Sequence, residues 1–196
     1  GFEIRERADT LGVNLKTVYL GDEYIEMLKN PKHGFGSGMN PCIDCRSMMF
    51  KAAKKHMDEI GADFIISGEV LGQRPMSQHG PALKTIERES ELEGYIVRPL
   101  SGALLPKTIP EENGLIKREN LGMVRGRTRR MQLQMAQEYG IENPPNAGGG
   151  CLLTDPAFAI RAKDLFTHTD NPSTNDIDLL KIGRHFRLDN TTKVIV

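Results

Sequence analysis

Three cysteines carry the chemistry that this sequence offers. Cys42 and Cys45 stand three residues apart in Pro41-Cys42-Ile43-Asp44-Cys45, and Cys151 follows the glycine run 148–150. The pair sits at the first turn of a stretch with helical spacing. Unpaired backbone N–H groups and the positive end of the helix dipole there favour a thiolate, which is both a nucleophile and a metal ligand. Two thiols three residues apart, joined by a third from a distant loop, can hold three irons of a cubane [4Fe–4S] cluster and leave the fourth iron open. The same three sulfurs can instead carry a persulfide and a resolving disulfide. A tetrahedral zinc site needs a fourth ligand, for which His33, His56 and Asp44 are the candidates. Three cysteines in 196 residues do not make a disulfide scaffold, so metal or redox work is the better reading.

A second group of candidates lies downstream. Phe64 to Gly68 is a short apolar run ending in small residues, and Ser67 and Gly68 leave room for adenine or ribose to approach. Glu69, Gln73 and Arg74 follow and are placed to contact ATP or a target base, although a salt-bridged loop accounts for them as well. Lys117, Arg118, Arg125, Arg127, Arg129 and Arg130 form the one concentrated basic segment. Guanidinium groups pair with phosphate in a bidentate way, so contact with RNA phosphates is the functional reading and a solvated helix face the plain one. Few aromatics accompany it, against recognition by base stacking. His56 falls on the apolar side of a helix and reads as a packing residue. His33 and His79 lie in glycine-containing loops, and Met48, Met49 and Met57 read as core packing.

The elements that must position these residues follow from periodicity. Residues 2–11 are predicted helical, 15–20 a strand, and 22–29 a helix with Asp22 as its cap. The stretch 33–40 is glycine-rich, 42–60 is a helix, and 64–68 is a buried parallel strand. A charged helix over 81–92, a strand over 95–100 and a helix over 128–139 come next. The loop 142–150 is too rich in turn residues to be regular. Residues 155–166 form a helix behind an aspartate cap. The motif 170–174 marks a boundary between a domain over 1–170 and an extension over 171–196 with a helix (176–182) and a hairpin (184–188 with 193–196). Strands alternating with helices give an α/β class with a parallel sheet and flanking helices.

Composition narrows the function classes. Twenty-six basic and twenty-six acidic residues cancel, so RNA binding has to come from a local patch. No apolar run approaches the roughly 20 residues of a membrane span. The start Gly1-Phe2-Glu3-Ile4-Arg5 lacks the features of a signal peptide, which gives a cytoplasmic expectation.

These motifs together resemble a known family. Met39-Asn40-Pro41-Cys42-Ile43-Asp44-Cys45 is similar to the asparagine-proline-x-x-x-cysteine segment of the PP-loop tRNA 2-thiouridylases. Residues 66–74 resemble their threonine-glycine-histidine strand-loop, and Cys151 falls where they place a second catalytic cysteine. The likeness runs over about residues 30–166. It points to a subgroup of thiouridylases carrying the older label tRNA (5-methylaminomethyl-2-thiouridylate)-methyltransferase. The resemblance implies an adenine nucleotide alpha hydrolase-like, Rossmann-like fold, with tRNA, ATP with magnesium, and a sulfur donor protein or sulfide as partners. It implies that ATP adenylates a uridine oxygen, a poor leaving group until phosphorylated, and that sulfur then displaces AMP. Cys151 would carry the sulfur and Cys45 assist its release, or Cys42, Cys45 and Cys151 would bind a cluster. The family's simpler members carry aspartate where Cys42 stands, which favours the cluster. The serine-glycine-glycine-x-aspartate-serine loop that cradles pyrophosphate in this family has no counterpart here. The expectation is therefore a partial domain, its nucleotide loop upstream of Gly1 and its activity lost in isolation.

Overall fold

The helix that carries two of the cysteines is the spine of the chain. In a computed structural model, which describes residues 2–141, 144 and 151–196, α3 runs Cys42–Ile60. Pro41 precedes it, and Gly61 stops it in a left-handed conformation (φ 66°), its N–H bonding back to the carbonyls of Met57 and Asp58. Ile43, Phe50 and Met57 recur every seventh position, so they form one stripe. That stripe packs with Ile86, Leu92, Ile96 and Ile65. Ile86 comes from α4 (Gly80–Glu89), which has Pro81 in its first turn behind its cap His79, whose ring nitrogen accepts from the Ala82 N–H at 3.4 Å.

Under these helices lies a small parallel sheet of β1 (Ile65–Ile66) and β2 (Ile96–Val97), joined through α4 as a crossover. Ile65 stands opposite Ile96 and Ile66 opposite Val97. The sheet is parallel, as the alternation predicts, but its strands are shorter and the expected buried strand over 64–68 is not buried: Ile65 is half-buried and Ile66 is 65% exposed. The strand expected over 15–20 does not form: residues 13–20 precede α2 (Gly21–Lys29) without a ladder partner, and Val18 and Tyr19 are exposed. A strand is held by a neighbour's peptide groups, and β-branched composition alone does not replace them. Asp22 falls in the first turn of α2, and Leu20 is its cap residue.

A second core forms around α7 (Pro156–His168), capped by Asp155, whose carboxylate accepts from the Phe158 N–H at 2.8 Å. Phe158, Ala162 and Leu165 pack with Leu28 of α2, Met39, Leu153 and Leu180. α8 (Thr174–Leu179), started by a Ser173–Asp176 capping box, brings Leu180 into that core. The antiparallel hairpin β3 (His185–Arg187) and β4 (Lys193–Ile195) then returns to α7. Arg187 grips Asp164 with two bonds at 2.8 and 2.9 Å, and Lys193 reaches it at 2.7 Å. The extension over 171–196 is thus tied to α7 by buried apolar and ionic contacts. α1 (Phe2–Thr10), α5 (Ile109–Glu112) and α6 (Arg130–Glu138) complete the helices of the described residues. None of the described helices is long and apolar enough to cross a membrane. The predicted loop over 142–150 lies, apart from residue 144, outside the described residues.

The Arg187 bonds first, and then Lys193, hold the Asp164 carboxyl well below the usual carboxylate range. A depressed pKa contributes stability that is present above the unfolded value near 4 and is lost as pH falls through the lower folded value. Asp164→Asn is expected to speed hydrogen exchange across 185–195 at neutral pH. The wild-type hairpin is expected to keep its protection down to about pH 4. Equal exchange rates in the two proteins at pH 7 would refute this.

Candidate functional site

The site is built where the glycine-rich loop meets the turn after Cys151. The Met39 N–H donates to the Leu153 carbonyl at 2.9 Å, fastening the 152–154 turn to the residues just before α3. Gly38 makes that approach possible: a Cβ there would stand 2.3 Å from the Leu153 oxygen. Asn40, only 5% exposed, organises the loop from inside. Its Oδ1 accepts from the Gly38 N–H at 3.1 Å, and its Nδ2 donates to the Cys42 sulfur at 3.1 Å and faces the Met76 sulfur at 3.8 Å. A Cβ on Gly36 would fall 2.3 Å from that amide nitrogen. Cys151 is exposed, and its carbonyl accepts from the Thr154 hydroxyl at 2.6 Å. Cys42 and Cys45 are half-buried.

Tyr24 of α2 lies within electrostatic reach of all three sulfurs. The Tyr24 hydroxyl hydrogen-bonds the Cys45 sulfur, and Cys42 and Cys151 both act on Tyr24 and on Cys45 through their charge. Burial, joined by the three thiols, pushes the Tyr24 hydroxyl far above its usual range, so it stays a proton donor. Burial also pushes the Cys45 thiol up, outweighing the Arg46 guanidinium and the Tyr24 hydrogen bond, which pull it down. This corrects the expectation of a thiolate stabilised at the helix start. At Cys45 desolvation wins, and the sulfur rests as a thiol. All three cysteines are free, and no three His, Cys, Asp or Glu side chains among the described residues stand at metal-ligand spacing.

The zinc ligand candidates are engaged elsewhere. Asp44 accepts from the backbone N–H groups of Lys32 and His33 at 3.0 and 3.1 Å, and so pins the loop entering the site. His33 pairs with Glu89 at 2.8 Å, and His56 with Glu59 at 3.4 Å.

The second predicted group borders the first. Ser67 is buried, and its hydroxyl accepts from the Glu69 N–H at 3.2 Å. Gly68 is exposed with open space above its Cα, which suits a ligand's approach. Glu69 is 2% exposed, and its carboxylate bonds Arg98 Nε at 3.0 Å and faces Arg46 at 3.6 Å. Arg98 also pairs with Glu87. A chain of alternating charge thus runs Glu87–Arg98–Glu69–Arg46 to Cys45. Gln73 touches Gln132 of α6 at 3.4 Å, and Arg74 is half-buried.

The basic segment reaches the same loop: the Gly126 N–H donates to the Leu71 carbonyl at 2.8 Å, which sets Arg125 beside Leu71. Arg125, Arg127 and Arg130 are exposed, as is Lys117, whereas Arg129 is half-buried. Arg118 is instead a clamp on the fold, bonding Glu111 at 2.8 Å and the carbonyls of Ala103 and Leu105. Sequence reasoning missed Tyr24, Arg46 and Arg98, for which no local signal exists. It quoted Asn40 only as part of a motif, and the buried amide behind a cysteine was its one readable sign.

A family model described as thiamine biosynthesis protein (ThiI) matches residues 7–108, just over half of the chain. The chain belongs to the ThiI family. That family is one of sulfur transfer and tRNA thiolation, which agrees at this coarse level with the likeness to thiouridylases. The ThiI match takes in Tyr24, Asn40, Cys42, Cys45, residues 67–74 and Arg98, and ends before Cys151 and the basic segment. The search of curated proteins and the search of solved structures each returned no match.

Two outcomes follow. In a chain whose other two cysteines are serine, the pH profile of Cys45 alkylation is expected to move upward in Arg46→Gln and in Tyr24→Phe, since each removes an interaction that lowers its pKa. A profile unchanged in both variants would deny them any hold on the sulfur. Glu69→Ala removes one of the two carboxylates that the buried Arg98 bonds, leaving Glu87, and is expected to cost roughly 1.5–3 kcal/mol in denaturant unfolding. A loss under about 1 kcal/mol would make Glu69 a binding group rather than part of the scaffold.

Proposed function

We propose that this chain is the sulfur-handling part of an ATP-dependent tRNA uridine thiolation enzyme, with Cys42, Cys45 and Cys151 as the groups that receive and deliver sulfur. The observation that supports this reading above others is the Met39–Leu153 bond, which brings the turn after Cys151 to the start of the helix carrying Cys42 and Cys45, three free thiols within electrostatic reach of Tyr24. In this reading Arg125, Arg127 and Arg130 take tRNA phosphates, and the nucleotide approaches over Gly68 with Gln73 and Arg74 beside it.

The chemistry assigned to the residues is a sequence of displacements. A uridine carbonyl oxygen attacks the α-phosphorus of ATP and pyrophosphate leaves. The terminal sulfur of a persulfide on Cys151 attacks the activated carbon, and AMP carries the oxygen away. The Cys45 thiol, once deprotonated, attacks the Cys151 sulfur and breaks the S–S bond, leaving sulfur on the base and a Cys45–Cys151 disulfide that a thiol reductant reopens. Exposure suits Cys151 to take sulfane sulfur from the persulfide of a donor protein, whose own cysteine leaves as a thiol. Burial suits Cys45 to stay protonated until it is needed, with Tyr24 as the neighbouring donor.

A second reading draws on the donor set itself, which is three soft thiols with the nearby carboxylate and imidazole groups occupied elsewhere. Cys42, Cys45 and Cys151 would then hold a [4Fe–4S] cluster, which would supply an open iron site for hydrosulfide. The donors match such a cluster in kind and in number, but they do not stand at metal-ligand spacing among the described residues.

The test is the thionucleoside content of tRNA, by mass spectrometry, in cells lacking the gene and in cells complemented with wild type or Cys151→Ala. One thiouridine is expected to vanish on deletion, return with wild type and stay absent with Cys151→Ala. Unchanged thionucleosides after deletion would dismiss the proposal. Iron and acid-labile sulfide in anaerobically purified protein decide between the two readings.

A further inference from the structure

A cavity of about 420 Å³ lies away from the cysteines, between α4, β2 and the segment 102–111. Its volume is in the range of small-molecule sites. Leu83, Ile96, Val97, Leu105 and Leu121 give it an apolar wall. The charges that line it are unevenly paired. Glu87 is committed to Arg98 and Glu111 to Arg118. Lys84, Arg88 and Lys107 also line it, and none of these three makes a side-chain hydrogen bond or ion pair among the described residues. Glu93 is the one lining carboxylate without a cationic partner among them. Lys84 and Arg88 are four apart on α4 and so share a face, with Lys107 contributed by the other wall.

Two buried polar groups at the cavity also lack partners. Arg98 lines it, is 3% exposed, and its Nη2 has no hydrogen bond. Ile96 is 1% exposed. The parallel ladder uses Ile65 N–H to the Tyr95 carbonyl and Ser67 N–H to the Val97 carbonyl, so the peptide groups of Ile96 point to the outer edge of β2. No described residue bonds them. Buried peptide groups without partners are rare, because each costs free energy comparable to a lost hydrogen bond.

We propose that this cavity binds an organic phosphate of nucleoside monophosphate size. The phosphate sits among Lys84, Arg88 and Lys107, where its charge of nearly two meets three unpaired cations. The organic body lies on the apolar wall, and a polar edge of that body pairs with the Ile96 N–H and carbonyl. The proposal is independent of the cysteine chemistry. Arg98 joins the two regions, since it lines the cavity and bonds the Glu69 that faces Arg46.

The experiment titrates uridine monophosphate, adenosine monophosphate and inorganic phosphate into the full chain and reads saturable binding by ligand-observed NMR. At least one nucleotide is expected to bind more tightly than inorganic phosphate. Lys84→Ala and Lys107→Ala are each expected to weaken it about tenfold, the worth of one charge-assisted hydrogen bond. Both lysines are exposed, so the variants should melt like wild type. Lys54→Ala, which removes a lysine paired with Asp58 on α3, is expected to leave binding unchanged. Absence of saturable binding by both nucleotides would overturn the proposal. So would inorganic phosphate binding as tightly as they do, or Lys54→Ala weakening binding as much as the cavity variants.

Discussion

One backbone hydrogen bond sets the geometry on which the site depends. Cys42 and Cys151 are more than a hundred positions apart, and an open loop of that length costs several kcal/mol of entropy to close. The Met39 N–H to Leu153 carbonyl bond closes it, made possible by the missing side chain of Gly38 and secured by Met39 and Leu153 burying themselves in the α7 core. A single hydrogen bond contributes only about 1 kcal/mol net, so the apolar burial around it supplies the energy and the bond supplies the register. A shift of one residue along this contact would take Leu153 out of the α7 core and move Cys151 relative to the start of α3.

From that junction the electrostatics run in two directions. Toward α2, burial and the neighbouring thiols keep the Tyr24 hydroxyl protonated, and at Cys45 burial outweighs the relief from Arg46, so it stays a thiol. Toward the sheet, Arg46 faces Glu69, Glu69 bonds Arg98, and Arg98 bonds Glu87. Ionic pairs this deep gain little net stability, since desolvation offsets most of the attraction. Their value is positional. Arg46 is held near Cys45 by a partner that is itself fixed, so the one cation beside the thiol has a defined place rather than a solvated, wandering one.

Much of this was legible in the chain. The helix over 42–60 was read to the residue, because Pro41 opens it, Gly61 ends it and the apolar positions recur at helical spacing. The hairpin at 184–196 and the aspartate-capped helix after Cys151 were readable for similar local reasons. The strand over 15–20 was misread, since alternating apolar residues describe a strand's surface but cannot provide the neighbour it must pair with. Tyr24 was invisible: an aromatic on an amphipathic helix reads as packing, and only the third dimension brings its hydroxyl to three sulfurs. Glu69 shows the reverse case: it reads as a ligand contact or as part of a salt-bridged loop, and in the fold it is a buried partner of Arg98.

The thiol state of Cys45 bears on how such a site can work at all. A permanently ionised cysteine beside Cys151 would be the stronger nucleophile, and would attack any persulfide formed there before a substrate arrived. Burial withholds that reactivity. Anything that brings positive charge to the site, or frees Arg46 from Glu69, lowers the cost of ionising Cys45 and restores it. The burial that places Cys45 in the scaffold therefore also holds it as a thiol, and Arg46, fixed by Glu69, is the group that works against it.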